Sequence, residues 1–259
     1  MEIQSVKKTM SILSVLSNNE NKPVSVSTIS KLTNFNKSTC MHILSTLMSD
    51  GYVKKVSHSQ GYILGPSTYL LTRFGRYDED FISTCRPVIR WLYQKTNCTI
   101  ILSTLQGSQK YNIDYIDKNN ILPANMSNKI LLDDIYRTAA GRAMLAHSDW
   151  DVVEKIYKKH GLPISEHWEE VNSYESLCKA LEKIRQTDIV KIDKVHGNGI
   201  ISIGYGKALC KGVTCVGALG IAIECTEDEY DYFCKQDESL RNYLSRAVAE
   251  INRRLKYNG

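Results

Sequence analysis

Between positions 5 and 49, apolar residues recur three and four apart in three separate runs, the spacing of amphipathic helices. The first run puts Val6, Met10, Leu13 and Leu16 on one face of a helix over 5–17, which Asn18-Asn19-Glu20-Asn21 ends. After an extended Pro23-Val24, Ser25 suits the N-cap of a short helix over 26–33 that turns Val26, Ile29 and Leu32 inward. Residues 34–36 separate it from the third run. There Asn36 caps a helix that buries Cys40, Ile43, Leu44, Leu47 and Met48, and Gly51 follows Asp50 where a left-handed cap belongs. Tyr52-Val53 and Tyr62-Ile63-Leu64 then read as two strands around a polar turn holding Lys54, Lys55, His58 and Gly61. Three helices and a hairpin, with a three-residue turn before the third helix, are the order of a winged helix-turn-helix.

Beyond it, 66–76 predicts a linker helix capped by Ser67, striped with Tyr69, Leu70 and Phe74 and ending at Gly75. A helix over 79–95 faces Phe81, Cys85, Val88, Ile89 and Leu92 inward, with Pro87 expected to kink it or open its second half. Strands follow over 99–105 and 111–116, joined at Gly107, then a mixed loop and strand region over 117–132. A small-residue helix spans 138–147, Ser148 is expected to cap a helix over 149–160, and Ser173 one over 174–185. Apolar strands over 200–209 and 213–223 meet at Lys211-Gly212, and a last helix over 237–256 buries Leu240, Leu244, Val248, Ile251 and Leu255. Strands and helices mixed around one sheet make this second part an α+β domain.

Charge sharpens the division. Residues 1–76 carry nine Lys and Arg against Glu2, Glu20 and Asp50, a net +6, which leaves −1 for the rest of a chain whose total is +5. The basic excess thus lies wholly in the helix-turn-helix segment, where counterion release from DNA would use it. The outer face of the third helix carries Lys37, Ser38, Met41, His42 and Ser45, with no acid before Asp50. Such a face fits the major groove, where a carboxylate would meet phosphate repulsion.

Other chemistry is excluded by spacing. Eight cysteines without a C-x-x-C pair read as small core residues in a reducing compartment, not as disulfides or zinc ligands. The glycine-rich stretch around Gly206-Lys207 lacks glycine at Ile201 and a hydroxyl at Ala208, so it is no phosphate loop. Gly197-x-Gly199 meets Ser202 where a dinucleotide fold needs glycine or alanine. No metal-ligand spacing or nucleophile elbow appears, so neither an enzyme nor a cofactor is expected. Nothing near the N-terminus resembles a signal peptide, and no apolar run reaches the ~18 residues of a membrane span, so a cytoplasmic protein is expected.

Nearly the whole chain resembles the IclR-type transcriptional regulators. The resemblance is carried by Asn36-Lys37-Ser38-Thr39 with His42 and Leu44, by Gly51-Tyr52-Val53, by Tyr62, Leu64 and Gly65, by Thr138-Ala139-Ala140-Gly141-Arg142-Ala143-Met144-Leu145-Ala146 and by the paired C-terminal strands. It implies a winged helix-turn-helix over 1–65, a linker helix over 66–76 and a GAF-like α+β effector domain with an antiparallel sheet over 77–259. Its partners would be double-stranded DNA with a pseudo-palindromic operator, a small-molecule effector, and further copies of itself as a homodimer or homotetramer. DNA contacts would fall on Ser25, Lys37, Ser38, Thr39, Met41, His42 and Ser45, with Lys54, Lys55 and His58 on the wing. The effector pocket would be lined by Met126, Ala139, Ala140, Gly141, Ser202, Gly220 and Ala222. The alternative to the small-residue helix start as a ligand site is plain tight packing against the sheet.

The chain departs from the family in two places. An acidic pair common before the Gly199 position is replaced by Lys191-Ile192-Asp193-Lys194-Val195-His196, and serines common on the last strand are Gly220 and Ala222. The backbone N–H groups at the start of the 138–147 helix favour a carboxylate, while fewer polar anchors point to a larger, more apolar metabolite than the usual oxo- or hydroxy-acid, or to a vestigial pocket. The function expected is a regulator, a repressor by preference, whose operator affinity a metabolite modulates. The competing reading is a ligand-sensing protein-contact module without specific DNA binding.

Overall fold

The computed structural model describes residues 3–17, 19, 22–56, 61–72, 78–117, 134–196 and 199–257. His58, Met126, the end of the expected linker helix and the region over 118–133 lie outside them. Two compact units are formed.

The first unit holds α1 (Gln4–Ser17), α2 (Val26–Thr33), α3 (Lys37–Ser49), β1 (Val53–Val56), β2 (Gly61–Leu64) and α4 (Pro66–Thr72). Ser25 caps α2 by accepting the Thr28 N–H, and Asn36 caps α3 by accepting the Thr39 N–H. Asn34 turns the chain between them at φ 59°, the left-handed region a short polar side chain tolerates. Val24 pairs with Tyr62 through two backbone hydrogen bonds of 2.9 Å, adding a third rung beside the antiparallel β1–β2 hairpin. Ile12, Leu16, Ile29, Cys40, Leu44, Leu47 and Val53 close the core. Three inward assignments, those of Val6, Met10 and Leu32, do not hold in the structure. Val6 and Met10 are exposed and Ile12 is buried with Leu16, so α1 has a second apolar face, formed by Val6 and Met10, with Ile3 exposed just before the helix. Leu32 is likewise exposed, while Ile29 is fully buried and Val26 packs partly buried against the same core.

The second unit is a five-stranded antiparallel sheet in the order β4-β3-β7-β6-β5, sandwiched by helices. Its strands are β3 (Thr99–Gln106), β4 (Gln109–Ile116), β5 (Val190–Val195), β6 (Ile200–Lys211) and β7 (Thr214–Thr226). Its helices are α5 (Glu79–Thr96), α6 (Asp134–Arg137), α7 (Ala139–Ala146), α8 (Trp150–His160), α9 (Tyr174–Thr187), α10 (Glu227–Lys235) and α11 (Asp237–Tyr257). On one face Ile100, Leu102, Ile203, Tyr205, Leu219, Ile221 and Ile223 pack against α5 and α11. The other face carries α7, which α6, α8 and α9 cover in turn.

Pro87 does not open α5, which is continuous. An interior proline costs about 3 kcal/mol, whereas burying Phe81, Ile82, Val88, Ile89 and Leu92 gains about 2 kcal/mol each. Ser148 is not a cap: its hydroxyl donates to the Met144 carbonyl at 2.8 Å, and Asp149 precedes α8. Ser173 caps α9 as expected, in a capping box with Ser176.

Candidate nucleic-acid interface and effector site

The outward face of α3 is built by elimination. Cys40, Leu44 and Leu47 are buried, which turns Ser38, Met41, His42 and Ser45, at spacings of three and four, into one exposed stripe. Met41 is 57% exposed, an unusual placement for a methionine unless something covers it. Lys37 opens the helix beside the stripe and is exposed. The Lys37 and Ser38 N–H groups precede any intrahelical acceptor, and Asn36 satisfies only that of Thr39, at 2.7 Å. Donors, a helix-dipole positive end and a lysine therefore coincide at one helix end, the arrangement that holds a phosphate.

Lys54 and Lys55 are both exposed on β1. The Lys55 ammonium lies 6.0 Å from the ring centroid of Tyr62, its cross-strand partner, and is thereby held over the hairpin. Ser25 is exposed at the start of α2, its hydroxyl accepting the Thr28 N–H at 3.1 Å and contacting the Thr28 hydroxyl at 2.9 Å. Thr39 is half-buried. All the described members of the expected DNA-contact set thus lie within the first unit.

In the second unit, the sheet under the start of α7 is stripped of side chains. A Cβ on Gly206 would stand 2.3 to 2.4 Å from backbone atoms of Ala139 and Ala140, and one on Gly220 would stand 3.5 Å from the Ala140 Cβ. Gly204 faces Ala139 in ordinary contact, at 3.6 Å. Gly141 points elsewhere: its Cβ would lie 2.2 Å from the Ile135 carbonyl oxygen, so it admits α6, and its N–H donates to Thr138 Oγ1. Close helix–sheet packing therefore accounts for Gly206 and the backbone of Ala139 and Ala140, and close helix–helix packing for Gly141. A Cβ at 220 would be tight only against the Tyr205 carbonyl oxygen, at 3.3 Å.

Sheet register carries the same face outward past α7. Gly206 pairs with Gly220, Gly204 with Ala222 and Lys194 with Ser202, while Ile101 of β3 pairs with Gly220. Ser202, Gly204 and Ala222 are only half-buried. Ala139, Ala140, Ser202, Gly220 and Ala222 are thus brought onto one face; Gly141 is not.

The sequence reading missed His196 as a member of this face. Its Nε2 stands 2.8 Å from Ser202 Oγ, and its N–H donates to the Ile200 carbonyl to close the turn. The signal was present: residues on the two arms of a tight antiparallel turn, six apart, share a face. Lys194, two residues earlier and opposite Ser202, adds a cation to that edge. A hydroxyl, an imidazole and a lysine beside small apolar positions suit an anion carried on an apolar body. Among the described residues, no group of His, Cys, Asp and Glu is placed to hold a metal ion. No described helix is long and apolar enough to cross a membrane.

Comparison with known proteins matches both units. The profile of the IclR helix-turn-helix domain covers residues 5–57, and that of the bacterial transcriptional regulator IclR C-terminal domain covers 78–234. The chain is similar to the HTH-type transcriptional regulator KdgR of Escherichia coli, at 24% identity over 99% of this chain and 94% of that protein. It is also similar to the HTH-type transcriptional regulator TtgV of Pseudomonas putida, at 24% identity over 77% and 74% of the two chains. Its fold resembles the crystal structure of an IclR homolog complexed with 4-hydroxybenzoate from Microbacterium hydrocarbonoxydans, at a TM-score of 0.69, 14% identity, and coverage of 98% and 99%.

Proposed function

The chain belongs to the IclR family of bacterial transcriptional regulators, and we propose that it is a cytoplasmic repressor, not an enzyme, released from its operator by a small carboxylate with an apolar body. Residues 1–65 form the DNA-binding head, 66–76 the linker and 77–259 the effector and oligomerisation domain. The observation that carries the DNA half is the exposed, acid-free stripe of Ser38, Met41, His42 and Ser45 beside Lys37. In this reading Lys37, Ser25, Thr39 and the wing groups Lys54, Lys55 and His58 hold phosphates, while Met41 and His42 meet base edges.

Two copies of the head pair to present two such helices to a pseudo-palindrome. The support for pairing is apolar surface: Ile3 just before α1, Val6 and Met10 on it, and Tyr69, Leu70 and Leu71 on α4 are all more than half exposed. The effector lies over Ala139, Ala140, Ser202, Gly220 and Ala222, with Ser202 and His196 as its polar anchors, and Met126 is assigned to it by the family resemblance alone. The bound 4-hydroxybenzoate of the Microbacterium hydrocarbonoxydans homolog belongs to the same chemical class. Occupancy shifts the operator affinity, as a coupling between two sites requires.

Fluorescence anisotropy with duplex DNA from just upstream of the protein's own gene, beside scrambled duplex and across a salt series, tests the reading. Tight, salt-sensitive and sequence-selective binding that a small carboxylate weakens is the expected result. Absence of binding to any duplex at low salt, from folded protein, overturns it in favour of a protein-contact module.

A further inference from the structure

The β6–β7 hairpin makes Cys210 and Cys215 direct cross-strand partners, one rung inside the turn-closing pair of Lys211 and Thr214. Facing residues of an antiparallel pair stand about 4.5 to 5.5 Å apart at Cα, within the span of about 4.4 to 6.8 Å that a disulfide bridges. Both cysteines are half-buried, while Lys211, Gly212, Val213 and Thr214 beside them are exposed, with Val213 at 98%. A small solute therefore reaches the pair from the hairpin end.

The two thiols are unlike. The hydrogen bond from Cys215 brings Cys210 down to about 7, against the effect of burial and with help from the Lys207 ammonium. The same bond, and burial, push Cys215 up. Cys215 Sγ also lies 3.4 Å from the Gly217 carbonyl oxygen, a second acceptor for its proton. The other cysteines offer no such pair. Cys40, Cys85, Cys98 and Cys225 are buried, burial raising Cys85 to about 12 and Cys98 to about 11, and Cys178 and Cys234 sit singly on α9 and α10.

We propose that Cys210 and Cys215 are a hydroperoxide-reactive dithiol that closes into a cross-strand disulfide. The Cys210 thiolate attacks the terminal peroxide oxygen; an S–O bond forms, the O–O bond breaks, and the leaving oxygen departs as an alcohol, or as water from hydrogen peroxide. The sulfur loses two electrons to the peroxide and becomes a sulfenic acid. Cys215 then gives up its proton and attacks that sulfur, so that the S–S bond forms, the S–O bond breaks and water leaves. A small-molecule thiol reverses the closure by two exchanges. Cys215 packs with Ala140 and Met144, so closure alters the contact beneath α7.

The test uses the full, reduced chain treated with hydrogen peroxide, then alkylated and cut with trypsin. Cleavage after Lys207 and Lys211 puts Cys210 and Cys215 on different peptides. Wild type should yield the two joined as one species, with peptide fragmentation placing the link on Cys215 and not on Cys225 or Cys234 of the same 212–235 peptide, and the species persists in the Cys178→Ser and Cys234→Ser variants. Cys215→Ser should instead hold Cys210 as a sulfenic acid that dimedone traps. In untreated protein at pH 7, Cys210 should react with iodoacetamide roughly fivefold faster than in the free peptide 208–211, the thiolate gain being partly offset by lower nucleophilicity. Oxidation confined to Cys178 or Cys234, or Cys210 joined to any cysteine but Cys215, overturns the proposal.

Discussion

His196 Nε2 and Ser202 Oγ stand 2.8 Å apart across the turn that joins β5 to β6. The bond fixes a hydroxyl on the sheet face that also carries Gly204, Gly220 and Ala222, and it holds an imidazole where acidic residues are expected. A carboxylate arriving there meets a hydroxyl and an imidazole already oriented by each other, instead of a like charge.

Replacing Ser202 by alanine should therefore weaken the effector without weakening the operator. A single hydrogen bond contributes on the order of 1 kcal/mol net, so the effector concentration for half-release should rise about fivefold. Operator anisotropy, titrated with a panel of small carboxylates that includes 4-hydroxybenzoate, reads both quantities. An unchanged response would remove Ser202 from the site.

Lys37 is assigned to phosphate and not to a base. Lys37→Ala should weaken operator and scrambled duplex by similar factors and lower the slope of log affinity against log salt by roughly one. Lys37→Glu should abolish binding while the fold, followed by circular dichroism, is retained. His42→Ala should behave differently, narrowing the gap between operator and scrambled duplex.

The head was legible because its signals are local. Caps at Ser25 and Asn36, the three-residue turn and the Cys40, Leu44 and Leu47 spacing all act within a few residues, and each was found where it was read. What failed was deciding between two apolar faces. Val6 and Met10 obey helical spacing as well as Ile12 and Leu16 do, and only tertiary packing chooses between them. β5 was not read as a strand because Lys191, Asp193 and Lys194 mask its alternation at the edge of the sheet, and α10 has no fully buried residue, only Tyr230 and Phe233 partly buried. At the effector site the small residues of α7 were legible. That Gly141 serves α6, and that His196 reaches Ser202, depends on pairing between segments far apart or folded back.

Two neighbouring glycines of β6 should differ sharply in stability. Gly206→Ala drives a methyl group into the backbone of Ala139 and Ala140 and should cost about 2 to 3 kcal/mol. Gly204→Ala meets only the Ala139 Cβ at 3.6 Å and should change stability by less than about 1 kcal/mol. Thermal unfolding of the two variants beside wild type measures this. Equal midpoints would mean that α7 yields to the added methyl. The same close approach makes substitutions at Ala140 poor probes of the effector, and Ala222→Leu the better one.

Asp237 gives the second unit a defined acid sensitivity. Burial alone would raise its carboxyl, but the Tyr205 hydroxyl at 2.7 Å, Arg241 Nε at 2.7 Å and Lys191 Nζ at 3.0 Å hold it at about 2, below its ordinary 3.8. A carboxyl depressed by folding stabilises the folded state fully above its unfolded value. That stabilisation is lost as pH falls from about 4 to about 2, because the unfolded chain takes up the proton first. The carboxylate side chain is 31% exposed, so solvent screening reduces its contribution to about 1 kcal/mol. Asp237→Asn should lower the unfolding midpoint at pH 6 and flatten its fall between pH 4 and pH 2, so that variant and wild type converge at the acid end. Parallel curves over that range would mean that the Tyr205, Arg241 and Lys191 contacts do not hold the carboxylate in solution.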